Sequence, residues 1–438
     1  MGLTPARDKA PSAAFGHPAG DPPVWTVILA GTCAFLNLYA TQPILPLLAQ
    51  TFHVNKAGIS LTVLSSTFGV ALAAPFMGRL ADRIGQRRVI VASAVLLGLT
   101  SLAAATSASL TQLIFWRFLQ GVFTPGVFAI TVAYINDEWE KGKTGSAMAA
   151  YVSGTVIGGF SGRFASGLIT DHADWRAAFL VLGLADLVMT AAIWRWLPAG
   201  KSPKHNALAT PLVGAALGHL RNRALLARYS IGFCVLFSLV ATFTYVTFYL
   251  AAPPFRLSPA MLGLIFVVYL VGAAITPLAG RWLDRFGAQS TLMAATLLGM
   301  SGVLLTTERR LWAVALGLTI CCTGVFIAQA AISSSIGRYA KNHRALAVGL
   351  YATFYYLGGS FGATLPAWAW GIAGWPACVA LIVFAQAITF AIARWFWRVP
   401  SGKVRRDPGE HGGPGGELSD VPMDAAPLTR GAPDEFVA

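Results

Sequence analysis

Long apolar stretches follow one another along most of the chain, and short polar segments separate them. Each stretch approaches the roughly 20 residues that a helix needs, at about 1.5 Å per residue, to cross a bilayer. The apolar residues are continuous and do not alternate with polar ones, as they would in a membrane β-barrel. The pattern therefore predicts twelve membrane-spanning helices, at residues 25–48, 60–80, 89–107, 110–134, 145–168, 175–197, 227–251, 259–280, 289–305, 311–333, 345–369 and 375–397.

The composition agrees with a lipid environment. Hydrophobic residues make up 55% of the 438 residues and charged residues 11%, whereas soluble domains carry about 25% charged residues. So few charges cannot cover a water-facing surface. We therefore predict an all-α membrane protein.

The distribution of Lys and Arg predicts the orientation, because cytoplasmic loops carry an excess of basic residues. With both termini in the cytoplasm, 25 of the 32 basic residues lie on the cytoplasmic side. The net charge of +14 then reflects topology and contact with anionic lipid, and we expect no nucleic-acid partner. This predicts a multi-pass protein of the inner (plasma) membrane. The other seven basic residues lie in spans or outer loops: Lys56, Arg117, Arg163, Arg176, Arg256, Arg309 and Arg310.

The same pattern divides the chain into five segments. Residues 1–23 form a cytoplasmic tail, which makes the first span too late and too long for a cleaved signal peptide. Residues 24–197 and 227–398 each form a bundle of six helices. Residues 198–226 form a cytoplasmic linker, with room for a short helix on the membrane surface. Residues 399–438 are rich in Gly, Pro and acidic residues, which predicts a disordered cytoplasmic tail.

The sequence contains no pattern of an enzyme or a metal site. The five cysteines lie in predicted spans without metal-ligand spacing, and neither HExxH nor GxSxG occurs. The run Gly142, Lys143, Thr144 lacks the earlier glycine of a phosphate-binding loop, because Asp137 stands there. We therefore predict a protein that is not an enzyme and has no cofactor or metal.

An internal repeat relates the two bundles. GRLADRIG begins at Gly78 and GRWLDRFG at Gly280, an offset of 202. Such a repeat predicts two pseudo-symmetric halves in parallel orientation, related by an axis along the membrane normal. An offset of 200 links five further pairs: Tyr151 and Tyr351, Gly158 and Gly358, Gly159 and Gly359, Gly162 and Gly362, Trp175 and Trp375.

At this point the chain resembles the major facilitator superfamily over residues 24–398. GRLADRIGQRR between spans 2 and 3 is similar to the signature loop of that family, and the copy between spans 8 and 9 fits the same pattern. QPILP in span 1, SGTVIGGFSGR in span 5 and YYLGGSFGATL in span 11 resemble the YnfM-type, acriflavine-sensitivity branch.

The resemblance implies secondary active transport of a small molecule by alternating access, since proteins of this branch are regarded as efflux carriers. We expect proton-coupled efflux of a drug-like or metabolite solute by a monomer. Uptake by symport or facilitated diffusion is the alternative within this class. A transport-inactive membrane sensor or scaffold is the alternative outside it.

The signature loops are the predicted gates. Gly78 and Gly85 allow a tight turn, and Asp82 lies where it can face the positive end of a helix in the other half. The resemblance implies that this helix is span 11. It also implies that Arg83 pairs with an acid at the end of span 4, where Asp137 and Glu138 stand. Gly280, Asp284 and Arg285 would do the same in the second half. The alternative is a solvated basic loop that only sets topology.

Glycines four residues apart line one face of span 5, at Gly154, Gly158 and Gly162. Gly358 and Gly362 repeat this face in span 11. Such faces let helix backbones approach closely in lipid. They predict a sliding seam between the halves or static helix packing, and the two do not exclude each other. The antiporter motif of the family has a proline among these glycines, and this chain has none.

Three charged residues stand inside or near the ends of spans, where charge is costly and usually functional. Arg117 in span 4 is a candidate for substrate binding, with snorkelling to the outer surface as the alternative. Aligning Gly121 with Gly324 puts Ile320 opposite it. Arg163 is expected to pair with Asp171 or Asp174 as an outer latch, or to meet lipid head groups. Asp186 in span 6 is a proton site, a partner of Arg117, or a protonated acid bonded to a neighbouring helix.

The remaining polar candidates are neutral side chains of spans that line the cavity in the family. Together they suit a neutral or cationic amphipathic solute, by stacking and cation–π contact. They are Asn37, Gln42, Gln120, Thr124, Tyr151, Thr244, Tyr245, Gln329, Tyr351 and Tyr355.

Overall fold

The computed structural model describes residues 22–140, 142–200, 212–339 and 344–396. The predicted tails at 1–23 and 399–438 lie almost wholly outside these residues, as does much of the linker. The side chain of Asp284 is also not described.

The first half contains helices α1 to α7, and its first span is interrupted. α1 ends at Leu36, five residues in turn conformation follow, and a 3-10 helix at Gln42–Ile44 leads into α2. The helices are α1 (Val24–Leu36), α2 (Leu45–Thr51), α3 (Lys56–Ile84), α4 (Gln86–Ala105), α5 (Leu110–Glu138), α6 (Thr144–His172) and α7 (Trp175–Trp196).

The second half follows a short helix within the linker. α11 bends at Gly287 and α13 at Ala373 and Gly374, so each of these runs consists of two helices. The helices are α8 (Leu212–Arg221), α9 (Arg223–Ala251), α10 (Pro259–Ile265), α11 (Val268–Leu305), α12 (Leu311–Tyr339) and α13 (Arg344–Phe396).

The described helices account for the predicted twelve spans. Eight are long and apolar enough to cross a membrane, and one of these, Leu346–Phe396, is long enough for two crossings. The other three crossings are the interrupted first span, the less apolar α6, and α10 with the first part of α11. The prediction of an all-α fold of twelve spans is confirmed.

The helix ends follow from local sequence. Asn55, Ser109 and Asp174 each accept a hydrogen bond from a backbone N–H of the following helix and so cap α3, α5 and α7. The signature loop turns at Gly85, where φ is 96°, and its copy turns at Gly287, where φ is 77°. A Cβ at either glycine would meet nothing within 4 Å. The backbone conformation therefore explains why glycine stands at both turns.

Mirrored contacts relate the two halves. The Tyr151 hydroxyl donates to the Phe128 carbonyl, and the Tyr351 hydroxyl donates to Gln329 Oε1, both at 2.9 Å. Trp175 and Trp375 are both buried where the sixth span of their half begins. The hydrogen bonds relate residue 128 to residue 329, an offset of 201. They place Leu318 opposite Arg117, two residues before the Ile320 that the glycine alignment predicts.

The molecule has two ends, which we name by their turns. The terminal face carries the start of α1 and the turns at Gly85 and Gly287. The distal face carries the turns at residues 52–55, 106–109 and 173–174. α6 meets the second half near the distal face, where a Cβ at Gly167 would lie 3.2 Å from Gly263 Cα. α3 meets α13 further inward, and the Thr67 and Ser360 hydroxyls lie 2.9 Å apart.

The predicted glycine faces pack within each half, so the interpretation as a sliding seam between the halves is wrong for this conformation. A Cβ at Gly158 would lie 2.7 Å from Thr32 Cα, and one at Gly162 would lie 2.7 Å from the carbonyl carbon of Leu36. Gly154 meets Ile28 of the same helix, α1. In the second half, Gly358 and Gly362 meet Phe233 and Phe237 of α9. The small residues bring α6 onto α1 and α13 onto α9, which is static packing.

Candidate functional site

The interruption of the first span exposes backbone groups that a continuous helix would pair. The segment from Asn37 to Gln42 is nevertheless buried. The Asn37 carbonyl accepts from Ala40 N at 3.2 Å. A buried carbonyl without a donor is costly, so further donors must come from neighbouring helices.

Arg117 of α5 supplies these donors. Its Nη1 donates to the Asn37 carbonyl at 2.6 Å and also to Gln120 Oε1, while Nη2 donates to the Leu38 carbonyl. The side chain is fully buried. Arg117 therefore holds the interruption of the first span together and does not snorkel. In this conformation it does not line an open cavity, contrary to the expected place of a substrate ligand.

Asp186 of α7 is buried at the same level and points into the first half. Its Oδ2 accepts from Asn37 Nδ2 at 2.5 Å, and its Oδ1 is buried without a hydrogen-bond partner. Ser101 Oγ donates to Asn37 Oδ1 at 3.0 Å. Asp186 and Arg117 form no direct ion pair, because Asn37 stands between them. Asn37 bonds the acid through its side chain and the guanidinium through its backbone.

Arg163 of α6 lies in a cage of three aromatic rings. The rings are Tyr39 from the interrupted first span, with Phe266 and Tyr269 from the second half, and their centroids lie 4.7, 4.9 and 4.7 Å from the guanidinium carbon. Arg163 Nε donates to Gln42 Oε1 at 2.8 Å. The expected pairing with Asp171 or Asp174 is wrong. Asp171 accepts from Ser258, and Asp174 caps α7.

Further contacts join the halves around this cage. Gln42 Nε2 donates to Thr244 Oγ1 at 3.1 Å, and the Tyr245 hydroxyl lies 3.3 Å from Ser60 Oγ. Lys56 Nζ lies 5.0 Å from the centroid of Trp370. Gln42 and Tyr245, predicted as cavity residues, therefore belong to the distal seam. By seam we mean the contacts of Arg163, Gln42, Tyr245 and Lys56 with the opposite half.

The signature loops lie away from the opposite half. Asp82 and Arg83 are exposed and form no hydrogen bond or ion pair with the residues that the structure describes. Gln86 Nε2, and not Arg83, donates to Asp137 at 2.8 Å. Gln86 begins α4, which packs on α5, whereas Arg83 ends α3 on the exposed side. Gly78 and Gly280 have nothing within 4 Å of a Cβ position. The Arg285 guanidinium lies over its neighbour Phe286.

An aromatic cluster lies between the halves on the terminal side of the cage. Phe128 of the first half packs on Tyr356 of the second at 5.9 Å, and Tyr355 packs on Tyr356 at 5.4 Å. Gln329 is partly exposed, and its oxygen is taken by Tyr351. Of the predicted cavity residues, Tyr351 lies here between Gln329, to which it donates, and Tyr355, on which it stacks at 5.7 Å. Tyr151, Gln120 and Thr124 are buried inside the first half.

The sequence analysis missed the mirror position of Asp186. An offset of 200 leads to Gln386, which is buried and has an unpartnered Oε1. Gln386 borders a small cavity of about 20 Å³ between α9, α11, α12 and α13, together with Ser238 and Thr389. The offset of 200 was already known from the Trp175 pair and would have found this residue. The cage rings carried no comparable signal, because Tyr39, Phe266 and Tyr269 are unremarkable apolar-span residues.

Comparison with known proteins agrees with this architecture. The family model of the Major Facilitator Superfamily matches residues 27–255 and 249–430. The inner membrane transport protein YnfM of Escherichia coli (strain K12) is 32% identical over 365 residues, which cover 83% of this chain and 87% of the relative. An uncharacterized MFS-type transporter of Bacillus subtilis (strain 168), YybF, is 32% identical over 370 residues, which cover 84% and 92%.

A solved structure shares the fold at lower identity. The crystal structure of the nucleoside transporter NupG superposes with a TM-score of 0.68 at 13% identity, covering 85% of this chain and 99% of that one. This likeness concerns the fold alone. Together with the family match and the two relatives, it shows that the chain belongs to the Major Facilitator Superfamily, is similar to YnfM, and is a membrane transporter and not an enzyme.

Proposed function

We propose that this transporter exports a small amphipathic organic molecule from the cytoplasm by alternating access, in exchange for protons that flow inward. The terminal face would lie in the cytoplasm, as the excess of Lys and Arg in the loops there favours. We also propose that it works as a monomer, since both halves that must rock against each other belong to one chain.

Alternating access is supported by the character of the distal seam. Its contacts are single hydrogen bonds and ring contacts, such as Gln42 with Thr244 and Arg163 with Tyr269. These can separate without unfolding either half. The exposed Asp82 fits a conformation that is open towards the terminal face. In the opposite conformation Asp82 would approach the start of α13, and the cage around Arg163 would open.

Proton coupling rests on one observation, the bridge from Asp186 through Asn37 to Arg117. Protonation of Asp186 removes a buried negative charge that Asn37 Nδ2 now faces. Asn37 would then be free to shift, and the carbonyl that Arg117 holds would shift with it. The first span also carries Tyr39 and Gln42, which contact Arg163. A proton on Asp186 would thus loosen the distal seam through the interrupted span.

Purified protein in liposomes with an imposed pH gradient tests this function. The experiment measures uptake of a panel of small organic solutes with and without the gradient. We expect gradient-dependent flux in the wild type and flux without gradient dependence in Asp186→Asn. Asp174→Asn is the matched control, because asparagine also caps a helix and this acid lies outside the bridge. Flux that ignores the gradient in the wild type would favour a facilitator, and no flux of any solute would favour a sensor or scaffold.

A further inference from the structure

Arg163 is a buried cation at the boundary between the halves. Only 3% of its surface is exposed. Nε donates to Gln42 Oε1 and Nη1 donates to the Gly159 carbonyl at 2.5 Å. Nη2 donates to none of the residues that the structure describes. Nη2 is also not completely sealed from solvent. Nη2 therefore keeps donor capacity that no described residue uses.

No carboxylate in the described part of the chain compensates this charge. The acids that come nearest in sequence or depth have other partners: Asp171 accepts from Ser258, Asp174 caps α7, and Asp186 accepts from Asn37. A cation at this depth is costly without an anionic partner. The three rings of the cage offset part of that cost by cation–π contact. They leave the directional bonding capacity of Nη2 unused.

We propose that Arg163 Nη2 binds the acidic group of the transported solute, and that this solute is a small organic monoanion with an apolar or aromatic body. The inference rests on the proposed function as a transporter and names its substrate class. It departs from the neutral or cationic solute that the sequence favours. The sequence analysis expected Arg163 to pair with an acid in an outer latch, and its charge was therefore not counted among the groups that meet the solute.

The position of Arg163 suits this role. Gly167, four residues further along α6, is already packed against Pro259 and Gly263 of the second half. Arg163 therefore lies directly on the terminal side of the seal. The aromatic cluster of Phe128 and Tyr356 lies on the terminal side of this cage. A solute that places its carboxylate on Nη2 would meet these rings with its apolar body.

The charge of Arg163 also matches that of the proposed solute. Arg163 offers one free donor atom and one charge, which match a single carboxylate oxygen and a monoanion. Binding would neutralise the cation while the rings of both halves remain in contact with it. A bound anion would therefore weaken the attraction between Arg163 and the rings of the second half, while the contacts of Gln42, Tyr245 and Lys56 would still hold the distal seam.

A comparison on the wild-type protein tests the inference without any substitution. Benzoate, phenylacetate and hexanoate are compared with their amides and with benzylamine, as ligands of the detergent-purified protein, by thermal unfolding and isothermal titration. We expect saturable stabilisation by the carboxylates at millimolar concentration, at least tenfold tighter than by the amides. Equal binding of amides or amines, or no carboxylate binding, would overturn the proposal.

Variants then locate the site. Arg163→Gln should abolish the preference for carboxylate over amide, and Arg163→Lys should retain it with reduced affinity. Arg176→Gln is the matched control, because Arg176 also stacks on a ring, Trp175, but is exposed and contacts only its own half. A carboxylate preference that persists in Arg163→Gln sinks the assignment. Carboxylate binding without flux in liposomes would leave this site standing and refute transport instead. Flux of a neutral solute that does not depend on Arg163 would support transport and refute this site.

Discussion

Replacing Gly162 by alanine tests whether the glycine faces hold each half together or let the halves slide. A Cβ at Gly162 would lie 2.7 Å from the carbonyl carbon of Leu36 and 3.1 Å from its Cα. Optimal carbon–carbon contact needs about 3.5–4.0 Å. Since the obstacle is backbone, α1 and α6 must separate by about 1 Å. Overpacking of this kind costs about 1–3 kcal/mol. Gly362→Ala should behave alike, because its Cβ would lie 3.0 Å from Phe237 Cα.

The matched control for Gly162→Ala lies on the same helix. A Cβ at Gly145 meets nothing within 4 Å, so Gly145→Ala should be neutral or stabilising by about 0.5–1 kcal/mol through lower backbone entropy. The assay is reversible unfolding of the purified protein in mixed micelles, which needs no substrate. Unchanged stability in Gly162→Ala, with altered transport alone, would refute packing within the half and restore the sliding seam.

Three further outcomes follow from the site. Asp82→Asn should reduce transport strongly while unfolding stability stays unchanged, because the proposed gate would use this exposed side chain only in the opposite conformation; normal flux would remove it from the gate. Arg117→Leu should destabilise the protein by about 1–3 kcal/mol, since the buried Asn37 and Leu38 carbonyls lose their charged donor and keep only Ala40 N and Ser66 Oγ, and wild-type stability by chemical unfolding would contradict its structural role. Export of a monoanion in exchange for one proton moves a net charge of +2 into the cytoplasm per cycle. A potassium–valinomycin potential, negative on the cytoplasmic side, should therefore accelerate export, whereas an electroneutral cycle would not respond.

The fold was predictable because it depends on properties that the sequence states directly. The length and apolarity of the stretches give the spans, and the repeat gives two halves. The turns at Gly85 and Gly287 follow from glycine alone. α6 is the instructive span, since its glycines and polar residues keep its hydropathy low. The apolar pattern nevertheless placed a span at 145–168, and the position of this span in the repeat agrees with it.

The site was less predictable, because a sequence shows which residues share a helix face but not which helix that face meets. The face of Gly158 and Gly162 was correct, yet its neighbour was α1 of the same half. Arg163 was misassigned for the same reason. Nearby acids in sequence suggested ion pairs, whereas the rings that surround it come from two other spans and from both halves.

The two halves have the same backbone fold but different charge distributions, and this asymmetry indicates that they have different roles. Among the described residues, the three buried charges of the site belong to the first half and have neutral mirror positions, whereas the second half buries Arg228 away from the site. The second half needs no counterpart of Arg117, because its first span, α9, is uninterrupted, and it folds with the neutral Gln386 beside a small cavity. The first half therefore holds the groups that would bind a proton and an anion. The second half supplies the rings that close on them. The pairs are Arg117 with Leu318, Arg163 with Ala363, and Asp186 with Gln386.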